Sequence, residues 1–385
     1  ISRIGTNCVK WDGMLEESKD PDMIPMWVAD MNFPACPTIA ESIIERVNHP
    51  TYGYFEPREE YFDSIIQWHK TRNNVEGLEK KHIGYENGVL GGVISALNVL
   101  ASKGDNVLLN SPTYIGFTHA LENNGYNMVL SPLKLDENNV WRMDYEDMEK
   151  KIVENHIHVA IICSPYNPCG RVWEKEELEK AVALFEKHNV WIVSDEIWSD
   201  IILDGNKHIP TQSVNAYART HTAAMYAPSK TFNLAGLIGS YHIIYNDWLR
   251  DRVEKESSLS HYNSMNVLSM YALIGAYKKE GYEWADELCE TITGNVNYAY
   301  NFIKENFKGV SLAKPQGTYM LFIDCEKYCK ENNVDIETIL HKGWEYGVYW
   351  QDGRPFHGPY SIRINLALPL SRVKEAFDRL KTYVF

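Results

Sequence analysis

Three chemically capable residues stand just past short apolar runs. Asn167 lies in VAIICSPYNPCG, Asp195 lies in VWIVSDEIW 28 residues later, and Lys230 lies in MYAPSKTFNLAGLIG after a further 35. An amide, a carboxylate and an amine are the parts of an acid–base or covalent site when a fold gathers them. Singly, each has an ordinary reading: NPxG as a turn, a strand-terminal Asp as a helix cap, a Lys as a solvated charge. Their order and common setting point to one site. A fourth residue, Arg363, sits in SIRINLALP between Ile362 and Ile364, where an unpaired guanidinium is costly. It reads either as half of a structural ion pair or as a fork for a carboxylate.

The elements that must position these residues are strands and helices in alternation. Asn106–Asn110, Val159–Cys163, Val190–Ser194, Thr222–Tyr226 and Tyr241–Tyr245 are short and too apolar to alternate, as a sheet covered on both faces requires. Val89–Ala101, Tyr114–Asn123 and Lys175–His188 read as helices, the last with Leu178, Ala181, Val182 and Phe185 at helical spacing. The pattern predicts an α/β fold with a mainly parallel central sheet sandwiched by helices. Ligands of such sheets bind beyond the carboxyl ends of the strands, where Asn167, Asp195 and Lys230 fall. From about residue 280 a long helical stretch leads into strands at Thr318–Asp324 and Ser361–Leu366 and a final helix, Arg372–Tyr383. The expected division is an N-terminal segment, 1–48, packing with a small domain; a large domain, 49–280; and that small α+β domain, 281–385. Prolines 21, 25, 34, 37 and 50 make the first 50 residues read as irregular.

Composition narrows the classes. The 385 residues are 44% hydrophobic and 23% charged, which excludes disorder and collagen-like repetition. A formal charge of −14 without a long basic run argues against nucleic acid or an anionic membrane as partner. No apolar run approaches the roughly 18 residues of a membrane span, and the N-terminus has no signal-peptide pattern. Seven scattered cysteines without CxxC spacing read as reduced thiols rather than a disulfide framework. The expectation is a cytoplasmic protein. His156 and His158 lack a third neighbour for a metal, and neither a GxGxxG nor a P-loop motif occurs.

Taken together, the motifs resemble the fold-type I pyridoxal 5'-phosphate (PLP) enzymes, the aspartate aminotransferase superfamily, over essentially the whole chain. MWVADMNF (26–33), YGYF (52–55), SPYNPCGRVW (164–173), SDEIWSD (194–200), PSKTFNLAGL (228–237) and SIRINLALP (361–369) look more narrowly like the MalY/PatB-type cystathionine β-lyases. The resemblance implies that Lys230, desolvated beside NLAGLIG, condenses with the cofactor aldehyde. It implies that Asp195 holds the pyridine nitrogen protonated, that Asn167 donates to the ring oxygen, and that Tyr114 stacks on the ring. The phosphate is expected at the start of the helix after NG, on the amides of Gly88, Val89 and Leu90, with Ser229 as a further donor. Tyr54 matches a tyrosine that reaches the phosphate from a neighbouring subunit, which makes the protein a homodimer with shared active sites. Arg363 then binds the substrate carboxylate, while Trp27 either lines the substrate entrance or packs.

The implied reaction is β-elimination from S-substituted L-cysteines such as L-cystathionine, giving a thiol, pyruvate and ammonia. The alternatives are a class I/II aminotransferase and a regulatory protein that retains PLP. Three residues depart from family patterns. Trp198 stands where aminotransferases carry Tyr, Ile238 where they carry a phosphate-binding Arg, and Asn32 where the lyases carry Asp.

Overall fold

The computed structural model describes residues 1–14, 22–259 and 262–385. Its central sheet runs Ile83–Glu86, Ser240–Ile243, Thr222–Tyr226, Trp191–Asp195, Val159–Cys163, Asn106–Ser111, Asn127–Pro132. The five strands from Thr222–Tyr226 onward are parallel, and Ser240–Ile243 lies antiparallel to both its neighbours.

The absence of alternation in these strands has a direct cause. All five residues of Val159–Cys163 and of Thr222–Tyr226 are buried. In the latter, Ala223 and Met225 enter one core, with the helices Val89–Leu100 and Lys175–Lys187. Ala224 and Tyr226 enter the opposite core, with Glu59–Asn73 and Val267–Ala276. Successive side chains of a strand point to opposite faces, so a sheet covered twice needs apolar residues at every position. The Lys175–Lys187 helix begins where its sequence allows. Glu174 and Glu177 form a reciprocal capping box, and Leu178, Ala181, Val182 and Phe185 face inward.

A second, three-stranded antiparallel sheet, Met320–Asp324, Ser361–Asn365, Gln351–Asp352, lies against the helices Lys279–Asn306 and Leu370–Tyr383. Ile292, Val296, Phe377 and Leu380 fill this core.

The first 48 residues differ from the reading as one irregular segment packed with the small unit. Ile24–Pro25 does pair with Val348–Tyr349. Pro37–Val47, however, is an 11-residue helix, because proline at the first helical position lacks only an N–H that would have no partner there. That helix packs on Val267–Ala276, where Thr38 Oγ1 donates to the Gly275 carbonyl at 2.8 Å. A Cβ at Gly275 would lie 2.6 Å from the Thr38 carbonyl oxygen, so glycine permits the close crossing. The N-terminal residues therefore divide between the two sheets. No helix among the described residues is long and apolar enough to cross a membrane.

Candidate active site

Adjacent parallel strands pair Cys163 with Asp195 and Asp195 with Met225, so their carboxyl ends are level. Asn167 and Lys230 each follow four residues beyond their strands, and the three side chains line one cavity of about 210 Å³. Gly88, Val89, Leu90, Tyr114, Trp198 and Ser229 line it too.

Asn167 is held by a tight turn. The Tyr166 N–H donates to the Arg171 carbonyl at 2.7 Å and the Gly170 N–H to the Tyr166 carbonyl at 2.6 Å. Gly170 has φ +69°, and a Cβ there would lie 2.5 Å from Pro315, so only glycine closes this turn. Buried Arg171 ties the loop to Glu174 and Glu177.

Asp195 is 4% exposed and forms no ion pair among the described residues. Its Oδ1 accepts the Ile197 N–H at 3.1 Å. Burial pushes its carboxyl up to about 7, against the pull of that N–H and of the Lys230 charge. Lys230 is shifted the other way, down to about 8, by burial and then by the charge of Arg363; Asp30 and Asp195 oppose the shift. Its Nζ donates to the Ala29 carbonyl at 3.0 Å and lies 5.7 Å from the Trp198 ring centre. An amine so placed sheds its proton near neutral pH, which a nucleophile or base requires.

Arg363 is 3% exposed and likewise lacks an ion pair, so the structural-pair reading does not hold among the described residues. Nη1 donates to Asn167 Oδ1 at 3.2 Å, Nη2 to Gln351 Oε1 and to the Trp27 carbonyl, and Nε has no partner. Burial lowers it to about 10. Lys230 and Asp195 thus line the cavity while Arg363 stands behind Asn167, and none of the three is in an ion pair among the described residues. Charges held this way are expensive unless a ligand of complementary charge completes them.

The phosphate end of the expected cofactor has a matching cradle. Gly88, at φ +85°, opens the helix Val89–Leu100 with no side-chain cap. Its own N–H already donates to the Glu86 carbonyl at 3.0 Å, which corrects its assignment as a free donor. The amides of Val89, Leu90 and Gly91 begin the helix, where N–H groups have no partner within the turn and face an anion favourably. Ser229 Oγ has no partner among the described residues and lines the same cavity. Ile238 lines it as well and adds no charge to it. Tyr114 presents a ring packed over Gly116, where a Cβ would lie 2.3 Å from the ring edge. These residues fit a flat cofactor with an anionic tail, a basic ring nitrogen and a reactive carbonyl.

Two expected residues stand elsewhere. The Trp27 ring lies edge-on to Tyr349 at 5.0 Å with its Nε1 donating to the Lys10 carbonyl, so it packs rather than lining the cavity. What Trp27 offers the site is its backbone carbonyl on Arg363. Tyr54 is fully exposed in the stretch 51–58, which forms neither helix nor strand, and does not line the cavity of its own chain.

Sequence reasoning missed the Ala29 carbonyl, Gln351 and two asparagines that fix the 26–33 segment. Asn365 Nδ2 donates to the carbonyls of Val28 (2.6 Å) and Asp30 (2.7 Å), and Asn233 binds both backbone groups of Met31 (3.0 and 3.1 Å). Cys163 also lines the cavity, but burial holds its thiol well above its ordinary range, so it stays neutral.

The family model "Aminotransferase class I and II" matches residues 21–380. Cystathionine beta-lyase PatB of Bacillus subtilis (strain 168) is 33% identical over 98% of this chain and 97% of its own length. A PLP-bound C-S lyase from Staphylococcus hominis superposes with a TM-score of 0.89 at 29% identity, covering 99% of this chain and 96% of that one. A PLP-bound protein of Clostridium difficile 630, whose aminotransferase description is provisional, superposes at 0.91 with 35% identity over 99% and 97%.

Proposed function

The chain belongs to the class I and II aminotransferase family, and from that premise we propose that it is a PLP-dependent carbon–sulfur β-lyase acting on S-substituted L-cysteines such as L-cystathionine. Bound PLP supplies an aldehyde that condenses with amines and a protonated ring that draws electrons from the substrate α-carbon. The observation that carries the reading is the pair Lys230 and Asp195 on one cavity with the start of the Val89–Leu100 helix, and Arg363, buried without an ion pair among the described residues, behind it on the cavity residue Asn167.

Each residue then has a task. Lys230 would hold the cofactor aldehyde and would take the substrate α-proton; its lowered basicity suits it to accept and return a proton. Asp195 keeps the ring nitrogen protonated, and the same interaction restores the charge that burial disfavours. Asn167, with its oxygen turned to Arg363, has its amide N–H group left to donate to the ring oxygen. Tyr114 covers the ring, and the amides of Val89 and Leu90 with Ser229 hold the phosphate. Arg363 binds the substrate carboxylate. The C–S bond breaks with its electron pair leaving on sulfur, and the thiolate takes a proton from Lys230 or a tyrosine of the site. Hydrolysis of the three-carbon remainder yields pyruvate and ammonia.

We also assign the active form to a homodimer in which Tyr54 of each chain serves the other's phosphate site. Its full exposure outside any helix or strand supports this. A cytoplasmic setting is part of the same reading, supported by seven cysteines that form no disulfide.

The name of the Clostridium difficile neighbour favours a second reading, transamination. Incubation of the holoenzyme with L-cystathionine separates the two. Pyruvate and thiol released without an added keto acid establish the lyase, whereas strict dependence on a keto acid establishes the transferase.

A further inference from the structure

The partners of Arg363 are unusual for a buried guanidinium, because all of them are neutral. Asn167 Oδ1 takes Nη1 at 3.2 Å, while Gln351 Oε1 and the Trp27 carbonyl (3.4 Å) take Nη2. The Phe356 ring lies 4.5 Å from Cζ and supports the flat group from one face. Nε is buried and has no partner.

Gln351 reaches Arg363 because of strand register. The two residues are directly opposed in the antiparallel pair Gln351–Asp352 with Ser361–Asn365, and opposed side chains share one face. The Gln351 backbone is fixed on both sides. Trp350 is fully buried with Nε1 on the Leu340 carbonyl at 3.1 Å. Gly353 donates to the Ser361 carbonyl at 2.9 Å, in a turn where a Cβ would lie 2.3 Å from that oxygen. An amide at this position orients the fork without cancelling its charge. A carboxylate there would satisfy Arg363 from within the chain and leave nothing for a substrate.

We infer that Gln351 is a positioning residue for substrate binding, holding the Arg363 fork through a neutral acceptor so that its charge remains available to an incoming α-carboxylate. This rests on the reading of the chain as an amino-acid enzyme, but not on the fate of the β-substituent. The test is therefore a titration of the holoenzyme absorbance with L-alanine, which carries the carboxylate and amine but no β leaving group. Gln351→Glu is expected to raise the Kd for L-alanine about tenfold or more, and to raise the KM for the reacting substrate in parallel. Its kcat should stay within about threefold, and its melting temperature should match or exceed that of the unaltered protein, since it gains an ion pair. Gln351→Met, which keeps the volume and removes the acceptor, should raise the same Kd by about three- to tenfold. An unchanged Kd in either folded variant, or a fall in kcat with KM and Kd unchanged, overturns the inference. If the unaltered protein binds L-alanine but releases no pyruvate from L-cystathionine, the β-lyase reading fails while this one stands.

Discussion

The amine of Lys230 donates to the carbonyl oxygen of Ala29 at 3.0 Å, joining positions 201 residues apart. That carbonyl is aimed by its neighbours. Asn365, itself fully buried, donates to the carbonyls on either side, of Val28 and Asp30, and its oxygen accepts the Ala367 N–H at 2.7 Å. Asn365→Ala removes a bond from two part-buried carbonyls and one buried N–H, of which the Asp30 carbonyl keeps the Lys10 amine at 2.9 Å, and a loss of about 1–3 kcal/mol of stability is expected. Activity should fall with it, because the wall that seats Lys230 loosens. Thermal denaturation and turnover assays check this, and a variant unchanged in both contradicts the role of Asn365.

Asp195 is expected to work against the stability of the apoprotein. Burial raises it from 3.8 to about 7. Between those values the folded chain holds a proton that the unfolded chain has released, so stability falls as pH rises across that range. Lys230 has the opposite sign. Lowered from 10.5 to about 8, it leaves the unfolded chain holding the extra proton, and stability rises with pH between those values. The contribution of the two groups is least favourable between about pH 7 and 8. Asp195→Asn should therefore raise the melting temperature of the apoprotein at pH 8, by up to on the order of 4 kcal/mol in stability, and have little effect near pH 4. The same variant should bind the cofactor more weakly. Calorimetry of apoprotein at the two pH values gives the answer, and a variant less stable than the original at pH 8 contradicts the assignment.

Arg363→Lys keeps the charge and removes the fork. With Asn167, Gln351 and Phe356 all shaped to a flat guanidinium, the ammonium cannot reproduce the contacts. KM for the amino-acid substrate should rise about 10- to 100-fold, with a smaller change in kcat. Steady-state kinetics decide, and an unchanged KM counts against carboxylate binding at Arg363.

Much of this site was legible because strand ends are. Apolar runs without alternation marked the buried sheet, and the polar residues just past them, Asn167, Asp195 and Lys230, fell together in the fold. Gly88 was legible as a helix start but not as a spent donor, since its bond to Glu86 depends on the backbone bend at φ +85°. Gln351 carried no signal, because its role arises from a register between strands separated by a loop. The Ala29 carbonyl has no side chain to notice. Pro37 was read as a breaker although it begins a helix. Whether Trp27 packed or faced the cleft depended on Tyr349 and Lys10, far from it in sequence.

Shared sites can be tested by complementation. Lys230→Ala removes the amine, and Tyr54→Phe removes the hydroxyl that each chain offers its neighbour. When the two variants are unfolded and refolded together in equal amounts, half the dimers are hybrids with one intact site each. About a quarter of the original activity should return, above the sum of the separate variants. No gain on mixing contradicts the placement of Tyr54 in the neighbouring site.

The central claim is that Lys230 carries the cofactor. Borohydride reduction of the freshly purified holoprotein, followed by digestion and mass mapping, tests it directly. The account predicts one pyridoxyl-phosphate adduct per chain, on the peptide containing Pro228-Ser229-Lys230, and none in Lys230→Ala, which should also release no pyruvate. An adduct on another lysine, or normal pyruvate release by Lys230→Ala, would contradict it.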